Sequence, residues 1–209
     1  TDLAELRTLR LGDDGDVRIP TLTEVLDLLP EESVLFLEIK SGVRTLEQVH
    51  QVLQARQEGI ARVAILSFDP QVIRRAAVLF PDHPRLLLVG LDYDRQRRQW
   101  TPSLKRIIEA GRECGATGID LPAVQRVDAE FVQALRNAGF RVHVWGVDQA
   151  KQARTLAEAG VFSITTDHPG LVLQALAEWR EQRGGSPSVV DRWKGRSVDD
   201  DGDDGGRGQ

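Results

Sequence analysis

The chain alternates between short apolar runs and segments with helical spacing, and this alternation limits its possible folds more than any other feature. Apolar residues recur three or four positions apart between the runs, as at Leu46, Val49 and Leu53. Parallel strands need a helical crossover, so the pattern predicts an α/β fold with a parallel sheet and six βα units. The six predicted strands cover residues 34–39, 62–66, 85–89, 117–121, 141–147 and 162–166. Four glycines are predicted to end helices: Gly111, Gly115, Gly139 and Gly160.

Two architectures fit this order, an open doubly wound sheet and a (β/α)8 TIM-type barrel. No G-x-G-x-x-G fingerprint follows any predicted strand, which weighs against a dinucleotide-binding sheet. Polar residues instead gather at the carboxyl ends of several strands, as in barrel enzymes. A barrel needs eight units, so we predict an incomplete one. The strand-end residues are Glu38, Lys40, Ser67, Asp120, Trp145, Thr166 and Asp167.

The predicted domain ends near residue 183, after which the composition changes. Residues 184–209 hold seven glycines and six aspartates, so this segment is predicted to be a disordered tail. Within residues 1–183, residues 1–18 are interpreted as a linker and residues 19–183 as the βα units. The chain starts at Thr1 and contains no Met. We therefore expect it to be part of a longer protein whose first two units precede it.

Charge and composition exclude several function classes. The net charge is −5 with a pI of about 5.4, which argues against nucleic-acid binding. No apolar run approaches the roughly 20 residues of a membrane span, and no leader segment opens the chain. The single cysteine, Cys114, excludes an internal disulfide. We expect a cytoplasmic protein, and the sequence leaves its oligomeric state open.

Glu38 and Lys40 close the first predicted strand. Strand side chains alternate, so Val34, Phe36, Glu38 and Lys40 share one face, which in a barrel is the inner one. A carboxylate at the inner mouth can hold a hard divalent cation, and an ammonium group can neutralise a phosphate. The alternative is a buried ion pair that needs no ligand.

Trp145 lies near the carboxyl end of the fifth predicted strand, on the same face as His143. It is interpreted either as a wall for the carbon part of a substrate or as a core residue. His143 is predicted to be a hydrogen-bonded core residue. Thr166 and Asp167 can cap the last helix, while His168 beside them is a weak candidate for acid–base chemistry. His50, His83 and Cys114 are given no role.

Five short segments in this order resemble the glycerophosphodiester phosphodiesterase family. They are Ile19-Pro20-Thr21-Leu22-Thr23-Glu24-Val25-Leu26, Leu37-Glu38-Ile39-Lys40, Ser67-Phe68-Asp69-Pro70, Val144-Trp145-Gly146-Val147-Asp148 and Ile164-Thr165-Thr166-Asp167-His168-Pro169.

The resemblance implies a (β/α)8 barrel that hydrolyses glycerophosphodiesters to glycerol 3-phosphate and an alcohol, a reaction of lipid metabolism. It implies a divalent cation, Mg²⁺ or Ca²⁺, with Glu38 as one of three carboxylate ligands. Lys40 would contact the phosphate of the glycerophosphodiester, and Trp145 would pack against the substrate.

The resemblance is incomplete at the amino terminus. The family's His-Arg opening, two further metal carboxylates and His-Asp motif normally precede Ile19, and the residues before it contain no His. No catalytic residue is therefore assigned, and this 209-residue stretch alone is predicted to be inactive. One alternative is a non-catalytic barrel remnant that binds a phosphorylated ligand or a partner through Lys40. A different phosphate-binding barrel is a third reading, and the absence of a Gly-rich loop weighs against it.

Overall fold

A computed structural model describes residues 2–11, 17–56 and 63–181. The predicted tail at 184–209 lies outside the described residues. The helices are α1 (Leu3–Leu6), α2 (Leu22–Leu28), α3 (Val43–Gln54), α4 (Pro70–Leu79), α5 (Leu104–Cys114), α6 (Ala129–Asn137), α7 (Ala150–Glu158) and α8 (Pro169–Glu181). The strands are β1 (Leu35–Glu38), β2 (Val63–Ser67), β3 (Arg85–Leu88), β4 (Asp92–Asp94), β5 (Gln99–Thr101), β6 (Gly118–Pro122), β7 (Arg141–Trp145) and β8 (Ser163–Thr165).

Six of these strands form one parallel sheet in the order β1-β2-β3-β6-β7-β8. All six coincide, within about two residues, with the runs predicted from the sequence. The sheet curls into part of a barrel, which confirms the incomplete TIM-type fold. Its outer strands are β1 and β8, and neither pairs with a further strand among the described residues.

The core lies on both faces of the sheet. On the helix side, one large cluster joins β6 and β7 to α5, α6 and α7, and a second joins β1 and β2 to α3. Helix α4 contributes to both, through Ile73 in the first cluster and Val72 in the second. The inner face carries a smaller cluster formed by Ala64, Leu66, Leu86 and Leu88, with Val34, Phe36 and Trp145 packed against it.

Local sequence signals explain where the helices begin and end. Thr21 and Glu24 form a reciprocal capping box at the start of α2, and Asp69 caps α4 ahead of Pro70. Gly115 ends α5 with a positive φ of 70°, a conformation that suits glycine. The prediction that Gly111 ends a helix is wrong. It lies inside α5, where a Cβ atom would stand 2.8 Å from the Phe140 ring.

One element was not predicted. Strands β4 and β5 form an antiparallel hairpin between β3 and α5, with Tyr93 opposite Trp100 and their rings 5.3 Å apart. Each strand has only three residues, so no alternation can develop along it. The two aromatic residues on either side of a polar turn are the one sequence signal that marks the hairpin.

The open strands β1 and β8 lead to a prediction about association. An unpaired parallel edge presents free backbone groups that can pair with another chain. We expect the 209-residue chain to self-associate in a concentration-dependent way in sedimentation velocity experiments. A monodisperse monomer over the whole concentration range would contradict this expectation.

Candidate functional site

The candidate site lies on the inner face of the sheet, where β1, β6 and β7 approach their carboxyl ends. Glu38 is the last residue of β1, Asp120 lies in the middle of β6, and Trp145 is the last residue of β7. Phe36 and Trp145 both pack in the inner cluster, and Glu38 shares the Phe36 face because strand side chains alternate. The structure therefore places the predicted residues Glu38 and Trp145 on one surface.

Lys40 lies just beyond β1 and pairs with Glu38. Its Nζ stands 3.5 Å from Glu38 Oε2, and the side chains are 78% and 34% exposed respectively. The alternative of a buried ion pair is therefore wrong, because the ammonium group reaches into solvent. An exposed pair of this kind contributes little to stability, so both charges are available to a ligand.

Glu38 fits the role of one oxygen ligand for a hard divalent cation, since its carboxylate is partly exposed at a strand end. Within residues 2–11, 17–56 and 63–181, no group of three His, Cys, Asp or Glu side chains converges to hold a metal. The described residues therefore do not assemble a complete set of metal ligands.

Asp120 is the functional candidate that sequence reasoning left without a role. It is only 2% exposed, and its Oδ1 atom has no hydrogen-bond partner among the described residues. Burial raises its pKa to about 7, the Leu121 amide lowers it, and the negative charge of Glu38 raises it. An acid within the apolar stretch Gly118-Ile119-Asp120-Leu121 is the signal that could have marked it.

Trp145 packs its ring against the inner cluster, and its indole N–H lacks an acceptor among the described residues. The residue is half-buried, and its indole Nε1 is buried without an acceptor among the described residues. A buried indole N–H normally finds a partner, so this donor is an exception within the described part of the chain.

His143 lies deeper on the same face and is a core residue, as predicted. Its Nδ1 stands 2.7 Å from Ser163 Oγ, and its ring packs near Phe36 and Phe162. Burial first, and then the charge of Arg141, lowers its pKa to about 3. The imidazole is therefore neutral near pH 7, and its remaining N–H is too weak an acid to protonate a leaving group.

The other histidines and the cysteine lie apart from this surface or at its rim. His50 and His83 pack edge-on against Phe80 on the helix side. Cys114 is buried in α5, where burial raises the pKa of its thiol. His168 is exposed before α8.

The loops that follow β7 and β8 are tied together by Asp148. Its Oδ1 accepts hydrogen bonds of 3.2 Å from the Thr166 hydroxyl and from the Asp167 amide. The Thr166 oxygen also accepts from the His168 amide at 3.0 Å, just before α8 begins. This network fixes the Thr166 segment beside Trp145.

In the described part of the chain, no helix has the length and apolar character needed to span a membrane.

Solved structures of three bacterial proteins share this fold. One assigned as a glycerophosphoryl diester phosphodiesterase from Silicibacter pomeroyi is 24% identical, with a TM-score of 0.66 over 82% of this chain and 59% of the other. Another with the same assignment, from Agrobacterium tumefaciens, is 23% identical with a TM-score of 0.69, over 88% and 72% of the two chains. An Oleispira antarctica phosphodiesterase, solved with its product sn-glycerol-3-phosphate, is 21% identical with a TM-score of 0.69, over 85% and 71%.

The TM-scores show the shared fold, and the chain spans 59% of the first of the three proteins. No curated protein sequence matches the chain. The family model for the glycerophosphoryl diester phosphodiesterases, in contrast, matches residues 1–171, which is most of the sequence. The chain belongs to the glycerophosphoryl diester phosphodiesterase family.

Proposed function

We propose that the protein to which this chain belongs hydrolyses glycerophosphodiesters to glycerol 3-phosphate and an alcohol in lipid metabolism. The observation that carries the proposal is that the Glu38–Lys40 pair and Trp145 lie at the carboxyl ends of two strands of the parallel barrel sheet, with Glu38 and Trp145 on its inner face. In barrel enzymes this end is where substrates bind. The glycerol 3-phosphate bound to the Oleispira antarctica relative supports the product class.

Each of the three side chains has a distinct part in this proposal. Glu38 contributes one carboxylate ligand to a divalent cation, Mg²⁺ or Ca²⁺, and the remaining ligands come from outside the described residues. Lys40, exposed beside Glu38, neutralises the phosphodiester. Trp145 packs its ring against the carbon part of the substrate. A cation bound there would stabilise negative charge on a phosphoryl oxygen.

Activity is the direct test. The isolated 209-residue chain should show no cation-dependent hydrolysis of glycerophosphocholine above background, because no three metal-binding side chains converge among the described residues and His143 is buried and neutral. Adding an N-terminal segment that carries His-Arg, two carboxylates and His-Asp should restore turnover. In that restored protein, Glu38→Ala should reduce the rate of glycerol 3-phosphate release at least a hundredfold.

Glu32→Ala is the matched control, since Glu32 is an exposed carboxylate in the turn before β1. It should leave turnover unchanged. Hydrolysis by the isolated chain that survives Glu38→Ala would contradict the proposed roles. Failure of the extended protein to hydrolyse any glycerophosphodiester would contradict the function itself.

A second candidate is a non-catalytic barrel that binds a phosphorylated ligand or partner. The exposure of Lys40 favours it, since an ammonium group in solvent can bind a phosphate without a cation. The two candidates differ in their need for a metal. Binding of glycerol 3-phosphate that is lost in Lys40→Met and unaffected by EDTA, together with no turnover by the extended protein, would support the binding function.

A further inference from the structure

One short segment concentrates positive charge in a chain whose net charge is −5. Residues 95–108 hold five cationic side chains and no acidic one, and all five are exposed. They are Arg95, Arg97, Arg98, Lys105 and Arg106. The first three lie in the turn between β4 and β5 and are called the turn arginines. Arg95 and Arg98 form no ion pair within the described part of the chain, so their charges are available to an anionic partner.

The β4–β5 hairpin is attached to the body of the protein through Trp100. This residue packs against the larger helix-side cluster, and Tyr93 lies opposite it with its ring against the indole. Asp94 Oδ1 accepts hydrogen bonds of 2.9 and 3.0 Å from the amides of Gln96 and Arg97, which shape the turn. Arg97 also pairs with Asp94 at 3.7 Å, yet its side chain is 76% exposed. The hairpin therefore presents the turn arginines to solvent on an anchored support.

The exposed aromatic residues lie in the same region. Among the described residues, Phe68 and Tyr93 are the two aromatic side chains with large exposed areas, at 54% and 47%. Phe68 follows β2 and lines one cavity together with Pro102, which follows β5, and Arg106. Phe68 thus lies at the base of the hairpin that carries Tyr93.

This basic and aromatic region lies at the carboxyl edge of the sheet. The hairpin follows β3 and Phe68 follows β2, and the carboxyl ends of the parallel strands of a barrel meet at one edge. Glu38 and Trp145 end their strands at the same edge. The region is therefore beside the opening of the candidate site.

Cations next to exposed rings are suited to the interface of an anionic bilayer. The negative surface attracts Arg and Lys, and aromatic rings lie at the level of the headgroups. We propose that the β4–β5 hairpin and Phe68 dock the protein on an anionic phospholipid bilayer. The turn arginines bind lipid phosphates there, and the rings of Phe68 and Tyr93 insert among the headgroups.

Docking in this way turns the carboxyl edge of the sheet, and with it the candidate site, toward the lipid surface. A single-stranded nucleic acid is the less suitable partner, because it needs free ring faces for stacking and the Tyr93 ring already packs against Trp100. The proposal is independent of the proposed hydrolysis, since binding to a bilayer needs neither a metal nor turnover.

The test is flotation of the 209-residue chain with unilamellar vesicles, made either of phosphatidylcholine alone or of equal parts phosphatidylcholine and phosphatidylglycerol. The chain should bind the anionic vesicles about tenfold more tightly or better, and rising salt should reduce the difference. Combining Arg95→Gln, Arg97→Gln and Arg98→Gln should weaken this binding by about tenfold or more, because each cation near such a surface strengthens binding about fivefold. Phe68→Ser with Tyr93→Ser should weaken it by about threefold or more, because two inserted rings are lost.

The matched control removes the same charge from the opposite edge of the sheet. Arg112→Gln, Arg136→Gln and Arg180→Gln alter the last turns of α5, α6 and α8, which lie away from the strand carboxyl ends. This triple variant should bind within about twofold of the wild type, because salt screens charges so far from the surface.

Melting curves show whether each variant is folded, and the arginine variant decides the question if the aromatic one is not. Equal binding to the two kinds of vesicle, no binding to either, or unchanged binding by a folded arginine or aromatic variant would overturn the proposal. An equal loss in the matched control would also overturn it. Tighter binding to a polyuridine oligonucleotide than to the anionic vesicles would assign the turn arginines to nucleic acid instead.

Discussion

Replacing Gly118 by alanine should lower the free energy of unfolding by about 3 kcal/mol. A Cβ atom there would lie 2.7 Å from Leu86 Cδ2, 2.8 Å from the Arg141 carbonyl oxygen and 3.1 Å from His143 Cδ2. A side-chain tip can shift, but the Arg141 carbonyl belongs to the backbone of β7, next to β6 in the sheet. The added methyl group therefore forces β6 and β7 apart. Urea unfolding followed by circular dichroism measures the loss.

Gly170→Ala is the matched control, since it makes the same chemical change on the surface in α8. No atom lies within 4 Å of the position that its Cβ would take. Alanine is the better helix former, so this variant should be stabilised by up to about 1 kcal/mol. Equal unfolding midpoints for Gly118→Ala and Gly170→Ala would show that β6 and β7 are less tightly packed than described.

His143→Gln should make the protein less sensitive to acid. The folded state lowers the pKa of His143 to about 3, from an ordinary value of 6.5, so the unfolded state binds its proton more tightly. The stability that neutral His143 contributes is present above pH 6.5 and is lost as the pH falls toward 3. Relative to the wild type, the variant should gain roughly 3 kcal/mol between pH 7 and pH 4.

The pH dependence of the unfolding free energy must be compared between variants, because the Asp120 carboxyl changes that free energy in the opposite direction over much of the same pH range. Its pKa is raised to about 7, so its contribution is present at low pH and is lost as the pH rises through 4 toward 7. Taking the difference between His143→Gln and the wild type removes this background. His168→Gln is the control, since that ring is exposed. Unfolding free energies of His143→Gln that run parallel to the wild type across this range would contradict the prediction.

Much of the fold could be predicted because its signals are local. The runs that became β2, β3 and β7 are aliphatic and bounded by polar or turn residues, so their positions follow from short windows of sequence. Alternation along β1 predicts that Glu38 shares the Phe36 face, and the effect of the Glu38 charge on Asp120 agrees with that position. Gly111 was misread because a glycine that ends a helix and one that admits a neighbouring ring look alike in sequence, and only the position of Phe140 separates them.

The candidate site was only partly predictable, because its main properties arise between strands. Lys40 was assigned to a phosphate by resemblance, and its exposure depends on where β1 ends in space. Among the described residues Asp120 Oδ1 has no hydrogen-bond partner, and the Glu38 charge acts on the Asp120 carboxyl; both properties depend on how β6 packs in the sheet. The lack of an acceptor for Trp145 Nε1 among the described residues likewise depends on packing between strands. None of these facts is contained in the local pattern of any one strand.

The division of the helix-side core has a consequence for cooperativity. The β1–β2 block and the β6–β7 block have separate hydrophobic clusters, and α4 is packed into both through Val72 and Ile73. Local opening of the first block would have to break its links to the second, which are α4, the β2–β3 pairing and the inner cluster that Phe36 and Trp145 both join. The Glu38–Lys40 end of the site belongs to the smaller block, whereas Asp120 and Trp145 belong to the larger one. A complete binding surface therefore exists only while both blocks are folded together.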